Sequence, residues 1–567
     1  MSQVNGAHGK AGATQSSHSA SPSGASPSAH GTGAASTDAS LAARAKGPRK
    51  GGPKGWIISL IAVLAAVAVV LGVTMYFNGR EAASDAANAG TPGAASDTVT
   101  VGIKLAPVNL DIRHQSGSAL EQLLIGNVYE GLVSRDSDNK VQPGLAKSWE
   151  ISADGLTYTF HLNEKMNFSN GDELNADDVA WSINELKAQK YYNYDQVGNL
   201  DKAEAVDANT VRITLSAPDS NMLWYLSGRP GLVFDKDAQY DAKTSALGSG
   251  PYTVVSFDAS DRLVLKANDQ YWGTDHKAKT ANVVVRFLPD DNAAVNALKG
   301  GDVQVLSPIT ATLAKPFQDD PEHYTVAAND GSDKFVLAFN VTNPKLADQR
   351  VRQAIRYGID HQQIIASRGG VDAALGGPIP SVDPGYEDLT GLYPHDEAKA
   401  KSLMAEAGYS EANPLQLTLT YANVYGTELG DQLKSQLKPI GIDLKINYVE
   451  FSTWLQDVHT NGDYELSLVD HAESHDFYKW ATPSYYYHYD NKQVQDLYAK
   501  ALAATSDAEA DDYLKQAARI VSEDAPADWL FGYRVTVAMA KGIDGFPSRL
   551  SQSVLPLYAV TYTPATK

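Results

Sequence analysis

From Thr98 onward the apolar residues recur with two different periods. In "TVTVGIKL", which starts at Thr98, and in "LTYTFHL", where Tyr158, Phe160 and Leu162 fall on one side, every second position is apolar, as in a strand with one buried face. In "NADDVAWSINEL" the spacing widens, and Val179, Ile183 and Leu186 line one side of a helix. Asn175 is placed to cap that helix and Asp177 and Asp178 to complement its positive end, so these aspartates read as helix-start residues rather than catalytic ones. "ADQRVRQAIRYGIDHQQII" repeats the helical stripe through Val351, Ala354, Ile355, Gly358 and Ile359. "ELGDQLKSQLKPIGIDLKINYV" moves from Leu429, Leu433 and Leu437 through a break at Pro439 and Gly441 to alternating Ile442, Leu444, Ile446 and Tyr448. That is helix, turn, strand, and the mixture throughout predicts an α/β fold.

One apolar run has no period. "WIISLIAVLAAVAVVLGVTMYF", Trp56 to Phe77, carries no charged residue and as a helix would extend about 33 Å, enough for a bilayer core. Five basic residues lie between Arg44 and Lys54, whereas Arg80 beyond the run is followed by Glu81 and Asp85. The positive-inside rule then puts the N-terminus in the cytoplasm and everything after Phe77 outside the cell membrane. Residues 1–55 are rich in Ser, Ala, Gly and Pro and predict a disordered cytoplasmic tail; 78–97 predict a flexible tether. A cleaved signal peptide is the alternative, since Ala87-Asn88-Ala89 resembles a cleavage site, but the leader would be unusually long.

Composition narrows the function. At 567 residues the chain is too long for one ordinary core, and 47 Lys+Arg against 67 Asp+Glu give a net charge of −20, which argues against a nucleic-acid partner. The absence of cysteine excludes disulfides, thiolate metal sites and a cysteine nucleophile. No H-E-x-x-H, G-x-S-x-G, P-loop or G-x-G-x-x-G is present, and no cofactor is implied.

Candidate chemistry concentrates in "DYELSLVDHAESHDFYKW", residues 463–480. "YELSLV" alternates as a strand, so Asp470, His471, Glu473, His475 and Asp476 fall at its end and in the following loop. These residue types can grip a charged ligand or hold zinc or nickel. A metallohydrolase using His471, Glu473 and His475 is the one enzyme that can be constructed from them. Tyr485 and Tyr487 in "PSYYYHYDN" are candidates for cleft walls or for core, and Asn340 in "FNVTNP" for a backbone contact to ligand.

The order "VQPGLAKSWEISADGLTYTFHLNEKMNFSNGDELNADDVAWSI", "GSGPYTVVSF", "FNVTNPKLADQRVRQAIRYGIDHQQII", "HDEAKAKSLMAEAGY" resembles the extracytoplasmic peptide/nickel solute-binding proteins of ABC importers. The resemblance implies a bilobal periplasmic-binding-protein-like fold with an extra inserted lobe: first lobe at 98–135, 247–331 and 531–567, inserted lobe at 136–246, second lobe at 332–530. It implies a monomeric receptor that closes on an oligopeptide and delivers it to ABC permease subunits, with a nickel or metal-chelate receptor as the alternative. In the peptide binders an aspartate in the loop after the "YELSLV" strand pairs with the ligand's α-amino group. Asp470-His471 and Asp476-Phe477 stand where Gly-Trp and Asp-Pro are usual, which leaves Asp470, Glu473 and Asp476 as candidates, with Asp476 preferred by position.

Overall fold

The computed structural model describes residues 95–550 and 554–564. The Trp56–Phe77 run, the tail before it and most of the tether lie outside the described residues, among which no helix is long and apolar enough to cross a membrane.

Ten strands make the central sheet: β1 (Thr98–Ile103), β2 (Tyr252–Asp258), β3 (Arg262–Ala267), β4 (Asn282–Phe287), β5 (Val305–Leu306), β6 (Tyr324–Phe339), β7 (Leu415–Ala422), β8 (Ile442–Val449), β9 (Leu466–His471) and β10 (Ala527–Ala540). Their order is β8-β7-β9-β6-β10-β5-β1-β4-β3-β2. The parallel pairs β1/β4 and β7/β8 belong to two separate α/β layers. β6 and β10 join those layers: they run antiparallel from Tyr324 opposite Ala540 to Ala338 opposite Ala527, with the register broken between Asp330 and Lys334. A break of this kind lets one long ribbon bend between two lobes.

Each layer has its own core. Val99, Val101, Leu263 and Val283 pack in the first lobe; Phe335, Leu337, Ile355 and Leu417 pack in the second. A further four-stranded sheet, in the order Ala146–Ile151, Thr157–Leu162, Thr210–Leu215, Leu200–Asp207, packs on the helix Ala176–Gln189. The alternation read from the sequence places Tyr158, Phe160 and Leu162 in that core with Val179, Ile183 and Leu186. Asn175 Oδ1 accepts from the Asp177 amide at 2.9 Å, and Asp178 Oδ2 accepts from the Asn175 amide at 3.1 Å, a reciprocal cap that accounts for Asp178 being buried.

The glycines of "GSGPY" serve close approach rather than a turn of positive φ. A Cβ at Gly248 would lie 2.1 Å from the Val128 carbonyl oxygen and one at Gly250 2.5 Å from that of Asn127. Ser249 Oγ between them donates to Glu130 at 2.8 Å. The segment thus holds β2 against the first-lobe backbone and makes no claim on a ligand.

Candidate functional site

Strand alternation sorts the end of β9. Leu466, Leu468 and Asp470 share one face, and the two leucines belong to the second-lobe core; Ser467, Val469 and His471 share the other, where Val469 joins an aromatic cluster containing Trp480, Tyr486 and Tyr487. Consecutive polar residues therefore enter different environments. Asp470 comes out at a cavity of about 520 Å³ between the lobes, lined by Gly102, Leu306 and Thr310 from one side and by Arg368, Asp372 and Asp470 from the other. A second space of about 300 Å³, reached past Tyr533 and Arg534, adjoins it.

Asp470 Oδ1 is buried without a hydrogen-bond partner. Burial, and then the neighbouring Asp333 carboxylate, push the Asp470 carboxyl up to about 8, against the pull of Lys334 and Arg368. A carboxyl group placed this way in a cleft accepts a donor from whatever enters.

His471 and Asp476 are different, and both expectations for them as ligand contacts are corrected. Asp476 is buried, with Lys334 Nζ 3.0 Å from Oδ1 and Lys479 Nζ 3.1 Å from Oδ2. Burial works against its charge, but the two ammonium groups outweigh this and hold the carboxyl at about 2. Its ionic partners are thus internal to the protein. His471 is buried against the Tyr486 and Tyr487 hydroxyls, and burial followed by the Lys479 charge pushes its imidazole well below the usual range. Neutral, it accepts from Lys479 through Nδ1 at 3.1 Å, which leaves Nε2–H to donate to a tyrosine oxygen.

Glu473 is largely exposed, with its carboxylate on Lys479 and its carbonyl oxygen taking Lys334 Nζ at 2.8 Å. Ligand atoms of His471, Glu473 and Asp476 lie within 4.8 Å of one another, a spacing that suits a metal ion. Lys479 Nζ hydrogen-bonds to all three. The cation of this cluster is a lysine ammonium, so these residues do not form an open metal site and give a hydrolase no centre.

His475 turns away from that cluster. It holds φ 57°, stacks on Trp224 of the inserted lobe at 4.3 Å, and bonds Asn221 Oδ1 through Nδ1 at 2.9 Å. Burial, then Arg135, depress its pKa to about 3. Asp383 gathers the same corner, accepting from the His475 amide at 2.9 Å and from Asn139 Nδ2 at 3.1 Å.

The remaining expectations also change. Asn340 donates its amide N–H to the Glu465 carbonyl, its carbonyl accepts from Asn343, and its side chain bonds Gly462, Tyr464 and Thr342. Every polar group of Asn340 is used in holding the loop after β6, which corrects its reading as a ligand contact. Tyr487 is buried and stacks on Trp480 at 4.1 Å, so it is core rather than cleft wall. Tyr485 packs edge-on to Tyr487 and lies 5.9 Å from Lys479 Nζ, on the same cluster.

Sequence reasoning missed Lys334, Lys479, Arg368 and Asp383. Lys334 and Lys479 each stand as a lone cation in an aromatic or apolar run, "DKFVLAF" and "FYKW", and that isolation was the available signal of a buried partner. Nothing in the local sequence marks Arg368 or Asp383.

The two lobes, the crossing ribbon and the cavity between them make the architecture of a receptor that encloses a solute. Over residues 140–496 the chain matches the bacterial extracellular solute-binding proteins, family 5, and it belongs to that family. It is a solute-binding protein of ABC importers, a transport receptor rather than an enzyme. It is 28% identical over 459 residues to the glutathione-binding protein GsiB of Pectobacterium atrosepticum, covering 76% of this chain and 88% of that protein. Among solved structures it is similar to HbpA2 from Haemophilus parasuis, with TM-score 0.74, 23% identity, and 82% of this chain and 99% of the other covered. It is also similar to the periplasmic binding protein DppA from Helicobacter pylori in complex with peptide STSA, with TM-score 0.67, 24% identity, and coverage of 82% and 98%.

Proposed function

We propose that this chain captures oligopeptides in the cavity between its lobes and delivers them to an ABC permease as a monomer tethered outside the cell by the Trp56–Phe77 segment. The observation that carries the peptide reading is Asp470: a buried carboxyl with an unpartnered oxygen at a cavity of about 520 Å³, a volume in the range of small-solute sites. The ammonium of a peptide supplies the missing donor and favours the ionised carboxylate. Support also comes from the relatives, one named as a glutathione-binding protein and another solved with a peptide. Lys479 within the His471, Glu473 and Asp476 cluster weighs against a metal at that place.

The test is to purify the full chain, denature it and identify released solute by mass spectrometry. Peptides recovered from wild type and lost from Asp470→Asn are the expected result. A metal chelate or a sugar in their place would overturn the reading. The tether is tested separately: the full chain should remain with membranes through salt and carbonate washing, and a soluble form starting near Gly90 would show cleavage instead.

A further inference from the structure

The inserted lobe is joined to its two neighbours in different ways. With the first lobe it shares buried chain: in "LVF", Leu232 and Phe234 enter the first-lobe core while Val233, between them, enters the inserted-lobe core. Arg229 adds side-chain bonds to the first-lobe carbonyls of Ile112 at 2.9 Å and Gly117 at 3.1 Å. Separating these two lobes would expose that core, so they move as one body.

Against the second lobe the inserted lobe makes a seam of another kind, and among the described residues no apolar core crosses it. The helix Met222–Leu226 buries Met222 and Leu226 in its own lobe and presents Trp224 outward, where the indole stacks on His475 at 4.3 Å with 17° between the planes. Asn221 Oδ1 bonds His475 Nδ1 at 2.9 Å, and Asn139 Nδ2 donates to Ser474 Oγ at 2.8 Å and to Asp383 Oδ1 at 3.1 Å. The Ser220 amide donates to the Leu502 carbonyl at 3.0 Å. Closing the seam also strands two donors: Arg135 Nε and Trp224 Nε1 are buried without a partner, although the guanidinium carbon lies 4.9 Å from the indole centroid. Opening would hydrate both. A contact made of a few directional bonds, one stack and two stranded donors is one that can open and close.

The second-lobe side of the seam is tied to both ends of the break in the β6/β10 ribbon. Asp383 accepts the His475 amide at 2.9 Å and so holds that residue at φ 57°, a conformation that a residue with a Cβ keeps only where its surroundings impose it. Two residues before Asp383, Ser381 donates to Asp330 at 2.7 Å; one residue after His475, Asp476 pairs with Lys334 at 3.0 Å. Asp330 and Lys334 bound the register break at which the ribbon bends. Ser381 also lines the space of about 300 Å³ beside the main cavity. The seam is thus continuous with the hinge and with the cavity wall.

We propose that this seam is a latch: Trp224, Asn221 and Asn139, carried with the first lobe, engage His475 and Asp383 of the second and hold the receptor closed without touching the solute. Part of the free energy of closure then comes from the latch, so the closed form is populated before solute arrives, and solute affinity falls when the latch is cut. The inference rests on solute capture between the lobes, as proposed above, and is independent of the solute being a peptide.

The chain has no cysteine, so spin labels can be confined to introduced ones. Val206 on the inserted lobe and Val424 on the second are exposed and make none of the seam contacts. The full chain carrying Val206→Cys and Val424→Cys, dialysed free of solute, should show a short interspin distance by double electron–electron resonance in a large share of molecules. Trp224→Ala should move most of that population to a longer distance, and Trp224→Phe, which keeps a ring against His475, should restore it. Asn139→Gly keeps the backbone at φ 62° while removing the side-chain bonds; it should act in the same direction and guards against a folding defect at Trp224. Binding is read separately with an equimolar degenerate tripeptide library: retained peptide, measured by mass spectrometry, should fall about tenfold in Trp224→Ala, the loss expected when the closed fraction falls tenfold. A distribution with no short component in the labelled parent, or one that both seam variants leave unchanged, would overturn the latch. Distances that lengthen while retention holds would overturn its part in affinity. A parent that retains no tripeptide would overturn the peptide reading, and the distances would still decide the latch.

Discussion

Lys479 places its ammonium 3.1 Å from Asp476 Oδ2, with both side chains 5% exposed or less. Lys334 approaches the other carboxylate oxygen at 3.0 Å. The loop after β9, whose acids and histidines invite a ligand or a metal, is therefore held together by cations the chain itself provides. Its charge is spent on closing the structure around Asp476, and the proposed peptide site therefore rests on the neighbouring Asp470.

Asp476→Asn should accordingly act on stability. Removing the carboxylate leaves the buried Lys334 ammonium without its ion pair and Lys479 with Glu473 alone, and breaking a buried pair in this way costs about 3–5 kcal/mol. Denaturant unfolding of the variant should show that loss. A variant of wild-type stability that fails to bind peptide would show Asp476 to be a ligand contact after all.

The same geometry makes Lys479 the barrier to metal binding. In Lys479→Ala the His471, Glu473 and Asp476 ligand atoms, within 4.8 Å of one another, lose their resident cation. Zinc should then stabilise the variant, by about 2.7 kcal/mol at a free concentration a hundredfold above its dissociation constant, and leave wild type unchanged. Thermal melts with and without zinc read this directly. A shift of wild type by zinc, abolished in His471→Ala, would contradict the assignment.

The contrast between Asp470 and Asp476 shows where sequence reading stops. The alternation of "YELSLV" correctly separates the faces of β9, and the helix stripe through Val351, Ala354 and Ile355 falls in the second-lobe core as its spacing predicts. Both are local patterns set by backbone geometry. The partner of Asp476 on β6, Lys334, lies far away in sequence and reaches it only because β6 pairs with β9, Lys334 opposite His471. Asn340 and Tyr487 have the residue types of a binding site, and only three-dimensional packing shows their polar groups to be used internally.

Acid should destabilise the protein through its histidines. His475, depressed to about 3, and His471, held well below its ordinary value, both stay neutral in the native state where the unfolded chain protonates near pH 6.5. Their contribution is complete above that pH and is lost as pH falls, by about 1.4 kcal/mol per pH unit for each histidine. His475→Asn, whose side chain tolerates positive φ, should flatten the slope by about one histidine's share. Unfolding free energies at pH 7, 6 and 5 supply the comparison, and identical slopes would mean that His475 is accessible to protons in the native state.

Peptide capture should release a proton. In the free receptor burial and the Asp333 carboxylate raise the Asp470 carboxyl well above the usual carboxylate range, which favours its protonated form. A ligand ammonium favours the anion and lowers that value, and the proton leaves as the ion pair forms. Titration calorimetry with a peptide recovered from wild type, run at pH 7 in buffers of different ionisation enthalpy, should show a net release of protons on binding. The binding heat should lose most of its buffer dependence in Asp470→Asn, and the affinity should fall about tenfold or more, because the uncharged amide offers the ammonium an acceptor without a countercharge. Wild-type heats that are the same in every buffer, together with undiminished affinity in Asp470→Asn, would place the ammonium elsewhere in the cleft.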